Sequence, residues 1–407
     1  MKKIAFINSV CNGSTGKIMG EIQREANSNG FETVSFYGRG NGFSDVKCIK
    51  MNKNNSFYFN IFHAFVFNKQ GQQSKNETRY LIKKLQEFNP DIIHLHNIHG
   101  YYLNYKILFN WINKSFKGKV VWTLHDCWSF TGHCAHFVGV NCQKWKSQCA
   151  KKCPLRHSYP YSFFVDTSES EYNLKKDLFT YREDFEIVTP SDWLNKLVNQ
   201  SFLKKHHVLT INNGINLEVF KPSINKEIKQ KYGVPDQKKI ILGVSNVWVK
   251  SKGFYDFLRL SNELLGGNIV IILVGLSKAK LNKVKQYKNI VGIERTENVN
   301  ELVAIYSLAD VFVNLTKEDN YPTVNMESIA CGTPVITYDT GGCIEQVDSN
   351  TGYCCKTNTV EEVKEKILEF LECDFKNTKF NNCKMLNEID AKKRFNDYIK
   401  LFEKITE

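Results

Sequence analysis

Short apolar runs alternate with segments of helical period along the whole chain. Two series of these runs have the length of β-strands. The first series lies at residues 4–8, 33–37, 92–95, 120–124, 187–189 and 208–211, and the second at residues 240–244, 269–274, 290–293, 311–314 and 335–338. Such alternation is typical of parallel sheets that are covered by helices on both faces. The pattern predicts an α/β protein with two doubly wound domains.

A turn-rich stretch separates the two series. Residues 212–222 read NNGINLEVFKP, and a Lys-rich helical segment follows them. We therefore expect a Rossmann-like N-terminal domain over residues 1–216 and a Rossmann-like C-terminal domain over residues 217–388. Residues 389–407 have helical period and predict a separate C-terminal helix. A Cys-rich insertion is expected in the first domain at about residues 127–160.

Composition and charge are those of a globular protein with a basic surface. The chain has 407 residues, of which 42% are apolar, and a formal net charge of +13. We find no run of the ~18 consecutive apolar residues that a membrane-spanning helix needs. The positive charge favours anionic partners. Because the usual nucleic-acid-binding motifs are missing, we expect the partner to be an anionic membrane surface and not nucleic acid.

The N-terminus and the cysteine count favour a cytoplasmic protein. Residues 1–10 read MKKIAFINSV and predict a first strand, since no small-residue cleavage site of a signal peptide follows them. Thirteen cysteines, an odd number, favour free thiols in a reducing compartment. The aromatic-rich stretch at residues 57–67 predicts either a buried helix or a helix that contacts a membrane. We expect a peripheral position at the inner face of the cell membrane.

Four cysteines of the insertion lie within 20 residues of one another. Cys134, Cys142, Cys149 and Cys153 have the spacing Cys-x7-Cys-x6-Cys-x3-Cys. Four thiolates can form a closed tetrahedral zinc site, but this spacing lacks the paired Cys-x2-Cys of common zinc sites. Structural zinc, free thiols and disulfides are three open alternatives for the cluster.

The segment 310–342 contains the most informative chemistry. Its pattern predicts a buried strand, an acidic loop with Asp319, a helix with Glu327, and a further strand. In an open α/β sheet such loops meet the ligand at the carboxyl ends of the strands. Two carboxylates can bind the hydroxyls of a sugar and a ribose, and the helix-start amides of Thr323 and Val324 can bind a phosphate. A nucleotide-sugar site is therefore predicted, with an ordinary capped surface helix as the alternative.

A glycine-containing loop follows the first strand. Residues 8–17 read NSVCNGSTGK, with Gly13 and Gly16 at the start of a helix. Glycines let the backbone approach a phosphate, and a helix N-terminus favours negative charge. A P-loop would need Gly in place of Cys11 and Ser or Thr in place of Ile18, and a dinucleotide-binding loop would need a third glycine at position 18. The sequence therefore supports neither an NTPase nor a dehydrogenase.

Polar side chains also follow two later strands of the first domain. His125 comes directly after the strand at residues 120–124. After the preceding strand come His96, Asn97, His99 and Tyr101. Imidazole, amide and phenol groups can bind hydroxylated ligands, so we expect this second group to contact a glycan acceptor. Strand-end packing and helix capping are the alternative.

These segments together resemble the retaining GT-B glycosyltransferases of glycosyltransferase family 4. Residues 319–327 are similar to the E-x7-E signature of that family, with Asp319 in place of the first Glu and Glu327 as the second. Glu318 can compensate for the shorter side chain of Asp319. The stretch 125–173 resembles members from exopolysaccharide, capsule and O-antigen biosynthesis, colanic acid transferases among them. The resemblance covers nearly the whole chain and implies two domains that face a cleft.

The resemblance implies donor-binding roles for residues of the second domain. Lys252, in a Lys-Gly pair, would hold the donor pyrophosphate. The family's Arg nearby is absent, and Lys250 would replace it as a point charge without the bidentate fork of Arg. Asp319 would orient the sugar and Glu327 the ribose. Arg295 ends the strand where the nucleotide base would pack.

In the first domain, the resemblance places the loop of Gly13 and Gly16 over the donor phosphates and the acceptor. His125 would form a hydrogen bond with the donor sugar. The last helix would cross back onto this domain.

The implied activity is sugar transfer from a nucleotide diphosphate sugar to a glycan or polyprenyl-diphosphate-linked acceptor of bacterial surface polysaccharide, with retention of configuration. The leaving phosphate would accept the acceptor's proton, so catalysis would need no metal or other cofactor. Two rivals remain open. A nucleotide-sugar epimerase or hydrolase would share the donor site but lack an acceptor. A non-catalytic, zinc-dependent scaffold would not need the donor site.

Overall fold

The computed structural model describes residues 1–51, 61, 71–150, 152–162, 164–225 and 227–407. The predicted helix at residues 57–67 lies outside these residues, except for residue 61. The described chain forms two compact units. Unit 1 comprises Met1–Ile211 and Phe395–Glu407, and unit 2 comprises Asn212–Arg394.

Unit 1 contains a parallel sheet of seven strands. These are β1 (Lys3–Val10), β2 (Glu32–Arg39), β3 (Cys48–Lys50), β4 (Ile92–Leu95), β5 (Lys119–Thr123), β6 (Phe185–Thr189) and β7 (His207–Thr210). Their order across the sheet is β3-β2-β1-β4-β5-β6-β7, and every pairing is parallel. The chain extends from β1 first to one side and then to the other. The crevice at the carboxyl ends of β1 and β4 is therefore a topological switch point, where open α/β sheets bind ligands.

Helices and short turns connect the strands of unit 1. The helices are α1 (Ser14–Ser28), α2 (Lys75–Phe88), α3 (Tyr105–Lys114), α4 (Ser168–Phe179) and α5 (Asp192–Val198). In the described residues of the insertion between β5 and α4, the regular structure is limited to short 3-10 turns at Trp128–Phe130, Val138–Val140 and Lys144–Lys146. Buried aromatic side chains, among them Trp128, Phe130 and Trp145, attach it to the core.

Unit 2 contains a parallel sheet of six strands. These are β8 (Lys239–Val244), β9 (Ile269–Val274), β10 (Ile290–Ile293), β11 (Val311–Asn314), β12 (Val335–Thr337) and β13 (Gly352–Cys354). Their order is β10-β9-β8-β11-β12-β13, again with parallel pairing throughout. The switch point of this sheet lies between β8 and β11.

Helices cover both faces of the second sheet. They are α6 (Glu227–Lys231), α7 (Phe254–Glu263), α8 (Lys278–Val284), α9 (Val299–Leu308), α10 (Thr323–Ala330), α11 (Val360–Glu372), α12 (Phe375–Thr378) and α13 (Cys383–Ile389). The last helix, α14 (Ala391–Thr406), belongs to unit 1 from Phe395 onward. Successive residues of β8 point into different cores: Ile241 belongs to one hydrophobic cluster, and Ile240 and Leu242 belong to another. Because both faces are buried, the strands are almost entirely apolar.

The α/β prediction with two doubly wound domains is confirmed. Each of the eleven predicted apolar runs forms a strand. The strands β3 and β13 were not predicted, because each has three residues, with the sequences CIK and GYC, and neither forms an apolar run.

Candidate functional site

The first loop of unit 1 ends at an uncapped helix. Helix α1 begins after Gly13, which has a φ of 89° and is exposed, and no acidic side chain lies in the first turn. A side chain at position 16 would be excluded, since a Cβ on Gly16 would lie 2.4 Å from the carbonyl atoms of Cys11. The loop therefore packs closely on a helix start whose N–H groups can bind an anion.

Asn8 connects the two strands at the switch point of unit 1. Its buried Oδ1 accepts hydrogen bonds from the backbone N–H of Asn97 (3.2 Å) and of Ser9 (2.9 Å). Its Nδ2 donates to the carbonyl of Val10 at 3.0 Å and to Oγ1 of Thr15 at 3.3 Å. The loops after β1 and β4 are thus fixed to each other. Asn8 was not among the predicted site residues, although a polar residue near the end of an apolar strand is a detectable signal.

Three histidines lie against one another behind these loops. Nδ1 of His96 lies 3.0 Å from Nε2 of His125, and the ring of His94 lies 4.3 Å from that of His96. Burial, together with the neighbouring imidazoles, lowers the pKa of His94 to about 3 and that of His96 well below its usual value. Burial also lowers the pKa of His125 to about 4, against the opposing charge of Asp126. All three side chains are therefore neutral at physiological pH.

Asp126 and His99 form a hydrogen-bonded pair beside this cluster. Oδ2 of Asp126 lies 2.9 Å from Nε2 of His99, and its Oδ1 accepts a hydrogen bond from the backbone N–H of Trp128 at 2.8 Å. Burial alone would raise the pKa of Asp126, but His99 and this hydrogen bond outweigh it and lower the pKa to about 2. Asp126 is therefore ionised. The sequence analysis did not select it, although it follows His125 directly.

The four residues predicted to contact the acceptor have unequal exposure. His96, His99 and Tyr101 are buried, whereas Asn97 is half-buried. Nδ1 of His99 lies 3.2 Å from the hydroxyl of Tyr159 in the insertion. The structure thus brings His96, His99 and the loop after β5 together, and acceptor contact stays a prediction.

An ion pair joins the two strands at the switch point of unit 2. Lys252 ends a 3-10 turn after β8, and Asp319 lies in the loop after β11. Nζ of Lys252 lies 2.5 Å from Oδ2 of Asp319 and donates to the carbonyl of Glu318 at 3.1 Å. Oδ1 of Asp319 accepts from the N–H of Asn320 at 2.9 Å. Both charged groups are partly exposed at the place where the sheet can bind a ligand.

Glu327 lies on α10, the helix that follows the acidic loop. Its Oε2 accepts a hydrogen bond from the hydroxyl of Tyr306 at 2.9 Å. Tyr306 is fully buried on α9, and burial together with the Glu327 carboxylate raises the pKa of its phenol well above the usual value. The phenol therefore stays a hydrogen-bond donor and holds the half-buried carboxylate in place.

The start of α10 has no side-chain cap. Pro322 precedes Thr323 and Val324, which are half-buried, and no acidic residue lies in the first turn. These amides have no side-chain oxygen from the cap residue as a partner. The helix start is therefore suited to bind an anion.

A ladder of amide side chains, two of them fully buried, supports that helix start. Nδ2 of Asn314 donates to Oδ1 of Asn325 at 2.9 Å, and Nδ2 of Asn325 donates to Oε1 of Gln346 at 3.1 Å. Nε2 of Gln346 then donates to the carbonyl of Pro322 at 3.1 Å. The sequence analysis missed these supports, which only the tertiary structure brings together.

The sequence of unit 2 is similar to a known protein family. Residues 224–394 match the family described as Glycosyl transferases group 1. Unit 2 is a group 1 glycosyltransferase domain. Lys250, Lys252, Asp319 and Glu327 all lie within the matched residues, and the resemblance named from the sequence is confirmed.

The similarity extends to the rest of the chain. The chain is 25% identical to the "Putative colanic acid biosynthesis glycosyl transferase WcaC" of Escherichia coli, over 89% of this chain and 88% of that one. It is also 25% identical, over 59% and 66% of the two chains, to a Campylobacter jejuni "N,N'-diacetylbacillosaminyl-diphospho-undecaprenol alpha-1,3-N-acetylgalactosaminyltransferase". The protein is a glycosyltransferase.

A solved structure shares the fold. HepE of Anabaena, in complex with UDP and glucose, aligns with a TM-score of 0.67 at 12% identity, over 99% of this chain and 100% of that one. The GT-B architecture of the glycosyltransferase is therefore confirmed.

The remaining donor residues of the glycosyltransferase domain lie at different distances from the switch point. Lys250 is exposed in the same 3-10 turn as Lys252. Arg295 is exposed after β10, an edge strand that β9 separates from β8. The topology thus groups Lys250 with Lys252 and Asp319, and leaves Arg295 to one side. Its contact with a base stays a prediction.

The clustered cysteines of the insertion line one small cavity. Burial raises the pKa of the Cys149 thiol to about 11 and also raises those of Cys134 and Cys153. All thirteen cysteines are free thiols. Within the described ranges, no group of three or more His, Cys, Asp or Glu side chains is arranged to hold a metal ion. This geometry fits the free-thiol alternative, and structural zinc stays a prediction that metal analysis of the purified protein tests.

Proposed function

We propose that this glycosyltransferase transfers a sugar from a nucleotide diphosphate sugar to a lipid-linked glycan, with retention of configuration, during synthesis of a bacterial surface polysaccharide. The observation that supports this most strongly is the Lys252–Asp319 ion pair at the switch point of the glycosyltransferase domain, with Glu327 fixed by Tyr306 on the following helix. A phosphate-binding cation and two hydroxyl-binding carboxylates are the groups that a nucleotide sugar requires.

The donor diphosphate would be bound by electrostatics alone. Lys252 and Lys250 supply positive charge, and the uncapped start of α10 adds backbone N–H groups. As the sugar–phosphate bond breaks, these groups stabilise the developing charge on the diphosphate. That phosphate accepts the proton of the attacking hydroxyl, so the mechanism needs no separate base. The UDP in the HepE structure supports a nucleoside diphosphate as the ligand class.

Asp319 would have two tasks in this site. It holds the Lys252 ammonium in the donor-free protein, and in the donor complex it would orient a sugar hydroxyl. Glu327 would bind the ribose, because its carboxylate is fixed by the Tyr306 hydroxyl.

We propose a lipid-linked acceptor at the inner face of the cell membrane. The Campylobacter jejuni relative has an acceptor with a diphospho-undecaprenol group in its name. In this chain, residues 127–165 contain five basic residues and no Asp or Glu. Tyr159, Tyr161 and Phe164 expose 42%, 45% and 75% of their surface in the same stretch. Basic charge beside exposed aromatic rings favours contact with an anionic bilayer.

A transfer assay tests the proposed function. The protein is incubated with a panel of nucleotide sugars, with and without polyprenyl-diphosphate-linked glycans, and the lipid extract is analysed by mass spectrometry. We expect one donor to extend a lipid-linked acceptor, and NMR of the product to show the donor's anomeric configuration. Glu327→Gln should abolish transfer, whereas Glu361→Gln, an exposed ion-paired carboxylate on α11, should not.

Other products would contradict the proposal. A new sugar nucleotide or free sugar formed from donor alone would identify an epimerase or hydrolase. An inverted anomer would refute retention and leave the transferase assignment standing.

A further inference from the structure

Two cysteines from distant parts of the chain meet beside the first loop of unit 1. Sγ of Cys11 lies 4.0 Å from Sγ of Cys48. Cys11 follows β1 directly and is fully buried, whereas Cys48 begins the edge strand β3 and is half-buried. A solute can therefore reach the sulfur of Cys48 more easily than that of Cys11.

Hydrogen bonds make Cys48 the more nucleophilic of the two thiols. The thiol of Cys11 donates to Cys48, and Oγ of Ser35 lies 3.3 Å from the Cys48 sulfur. The hydrogen bonds from Cys11 and Ser35 lower the pKa of Cys48 to about 6, although burial acts in the opposite direction and raises it. The same hydrogen bond and burial raise the pKa of Cys11. A thiolate is the reactive form in oxidation, so Cys48 should react first.

Other charges near the two sulfurs largely cancel. The groups that face them from α1, β2 and the loop before β3 are Arg24, Ser35, Tyr37, the backbone of Phe43, and Asp45. Nε of Arg24 is paired with Oδ2 of Asp45 at 2.6 Å. The contact with Ser35 and the greater exposure of Cys48 therefore distinguish the two thiols.

The position of Cys11 connects this pair to the first loop. The N–H of Cys11 donates to the carbonyl of Arg39 at 3.2 Å, and its own carbonyl group lies against Gly16. A disulfide bond is about 2.05 Å long, so the two sulfurs must approach by roughly half of their present separation. A bond between them would tie the backbone of Cys11, and with it the start of the loop that contains Gly13 and Gly16, to β3.

We propose that Cys48 and Cys11 are an oxidation site for hydroperoxides, and that the disulfide they form ties the first loop to β3. The Cys48 thiolate attacks the O–O bond, becomes a sulfenic acid and releases water or an alcohol. The thiol of Cys11 then attacks the sulfenic sulfur, the S–S bond forms and a second water leaves. Two thiols lose two electrons and the hydroperoxide gains two. A thiol reductant reverses the reaction.

Mass spectrometry tests the chemistry of the site. After hydrogen peroxide treatment, we expect the intact mass to fall by two hydrogens and a peptide with Cys11 to be joined to one with Cys48. Cys11→Ser should stop at a sulfenic acid on Cys48 that dimedone labels, and Cys48→Ser should form no link. Cys383→Ser, which removes an exposed thiol, should still form the link between Cys11 and Cys48. Oxidation of Cys383 before Cys48, or a link between other cysteines, would overturn the proposal.

Hydrogen exchange tests the effect on the loop without reference to catalysis. Amides of residues 11–17 should exchange more slowly in the oxidised protein and recover after dithiothreitol treatment. If the exchange rates do not change in a protein whose Cys11–Cys48 disulfide is confirmed, the proposal that the disulfide ties the first loop to β3 is wrong. A further effect rests on the proposed function: oxidation should lower transfer by at least about tenfold, because small misplacements of binding groups are costly. Absence of transfer in the reduced protein would refute the proposed function alone.

Discussion

At the scale of single residues, the donor site depends on charges that the protein itself balances. The Lys252 ammonium and the Asp319 carboxylate are 33% and 25% exposed. An ion pair this accessible is worth about 1 kcal/mol or less, because water screens it. A diphosphate can therefore displace the carboxylate from Lys252 at little cost. Asp319 is then free to contact a sugar.

Tyr306 gives a prediction about how Glu327 is positioned. Tyr306→Phe removes the hydroxyl that donates to Glu327, so we expect a loss of about 1 kcal/mol in unfolding free energy and a weaker affinity for the nucleotide. Tyr232→Phe is the matched control, since its hydroxyl donates to Glu301 at 2.7 Å elsewhere in unit 2. Calorimetric titration should show weaker nucleotide binding in the first variant only. Equal binding in both variants would show that Tyr306 has a purely structural role.

The buried imidazoles of unit 1 give a prediction about pH. The pKa values of His94, His96 and His125 are lowered in the folded protein, so between about pH 6.5 and about 4 the unfolded chain binds protons that the folded chain does not. The unfolding free energy should therefore fall as pH drops below about 6.5. Because burial also lowers the pKa of His133 to about 4 and lowers that of His206, unfolding should take up to about five protons. Denaturant unfolding at a series of pH values measures this slope.

A variant pair separates this effect from general acid denaturation. His94→Gln should reduce the proton uptake by about one, whereas His157→Gln, at an exposed position, should not change it. A slope that is the same in all three proteins would contradict the assignment.

At the scale of elements, the period of apolar residues determined most of the fold. Strands buried on both faces, such as β9 with the sequence IVIILV, are visible in any apolar profile. The edge strands β3 and β13 are not visible in such a profile, because they are short and each pairs with another strand on one side only. Their pairing is decided by the neighbouring strand rather than by their own sequence.

The sequence could predict those site residues that lie directly after a predicted strand. Asp319 and Glu327 could be selected because each lies in a loop or helix start after an apolar run, and Lys252 because its Lys-Gly pair resembles that of the family. Gln346 could not, because its importance comes from hydrogen bonds to Asn325 and Pro322, which lie far from it in sequence. Such contacts leave no periodic pattern.

The last helix gives a prediction at this scale. Phe402 on α14 is fully buried, and its ring lies 5.5 Å from that of His94 and 6.2 Å from that of Phe31. Phe402→Ala should lower the unfolding free energy by about 3–5 kcal/mol, because it opens a cavity in the core of unit 1. Tyr181→Ala, at a 64% exposed position, is the control and should cost far less. Denaturant unfolding of the full chain measures both changes. Equally small losses of unfolding free energy in the two variants would contradict the prediction.

At the scale of the whole molecule, the net charge of +13 is unevenly distributed. The insertion contributes five basic residues without one acid. Among the described residues, no helix is long and apolar enough to cross a bilayer. The proposed membrane contact rests on the basic charge of the insertion and on the exposed aromatic rings of Tyr159, Tyr161 and Phe164.

Vesicle sedimentation tests that contact. Lys144→Glu combined with Lys152→Glu should weaken binding to phosphatidylglycerol vesicles by at least about tenfold, since each basic residue near an anionic surface is worth about 1 kcal/mol. Lys114→Glu combined with Lys117→Glu makes the same charge change outside the insertion and should have a much smaller effect. An equal loss in both double variants would indicate a general charge effect and no docking surface.

The central claim is that the switch point of unit 2 binds a nucleoside diphosphate through Lys252 and Glu327. Calorimetric titration with UDP, GDP, ADP and their sugars tests it most directly, in the native protein and in Lys252→Met, Glu327→Gln and the control Lys364→Met, which removes a partly exposed, ion-paired lysine on α11. We predict that one base family binds the native and control proteins, and that both site variants bind at least about tenfold more weakly. Equal affinity in all four proteins, or no binding to a folded native chain, would contradict the account.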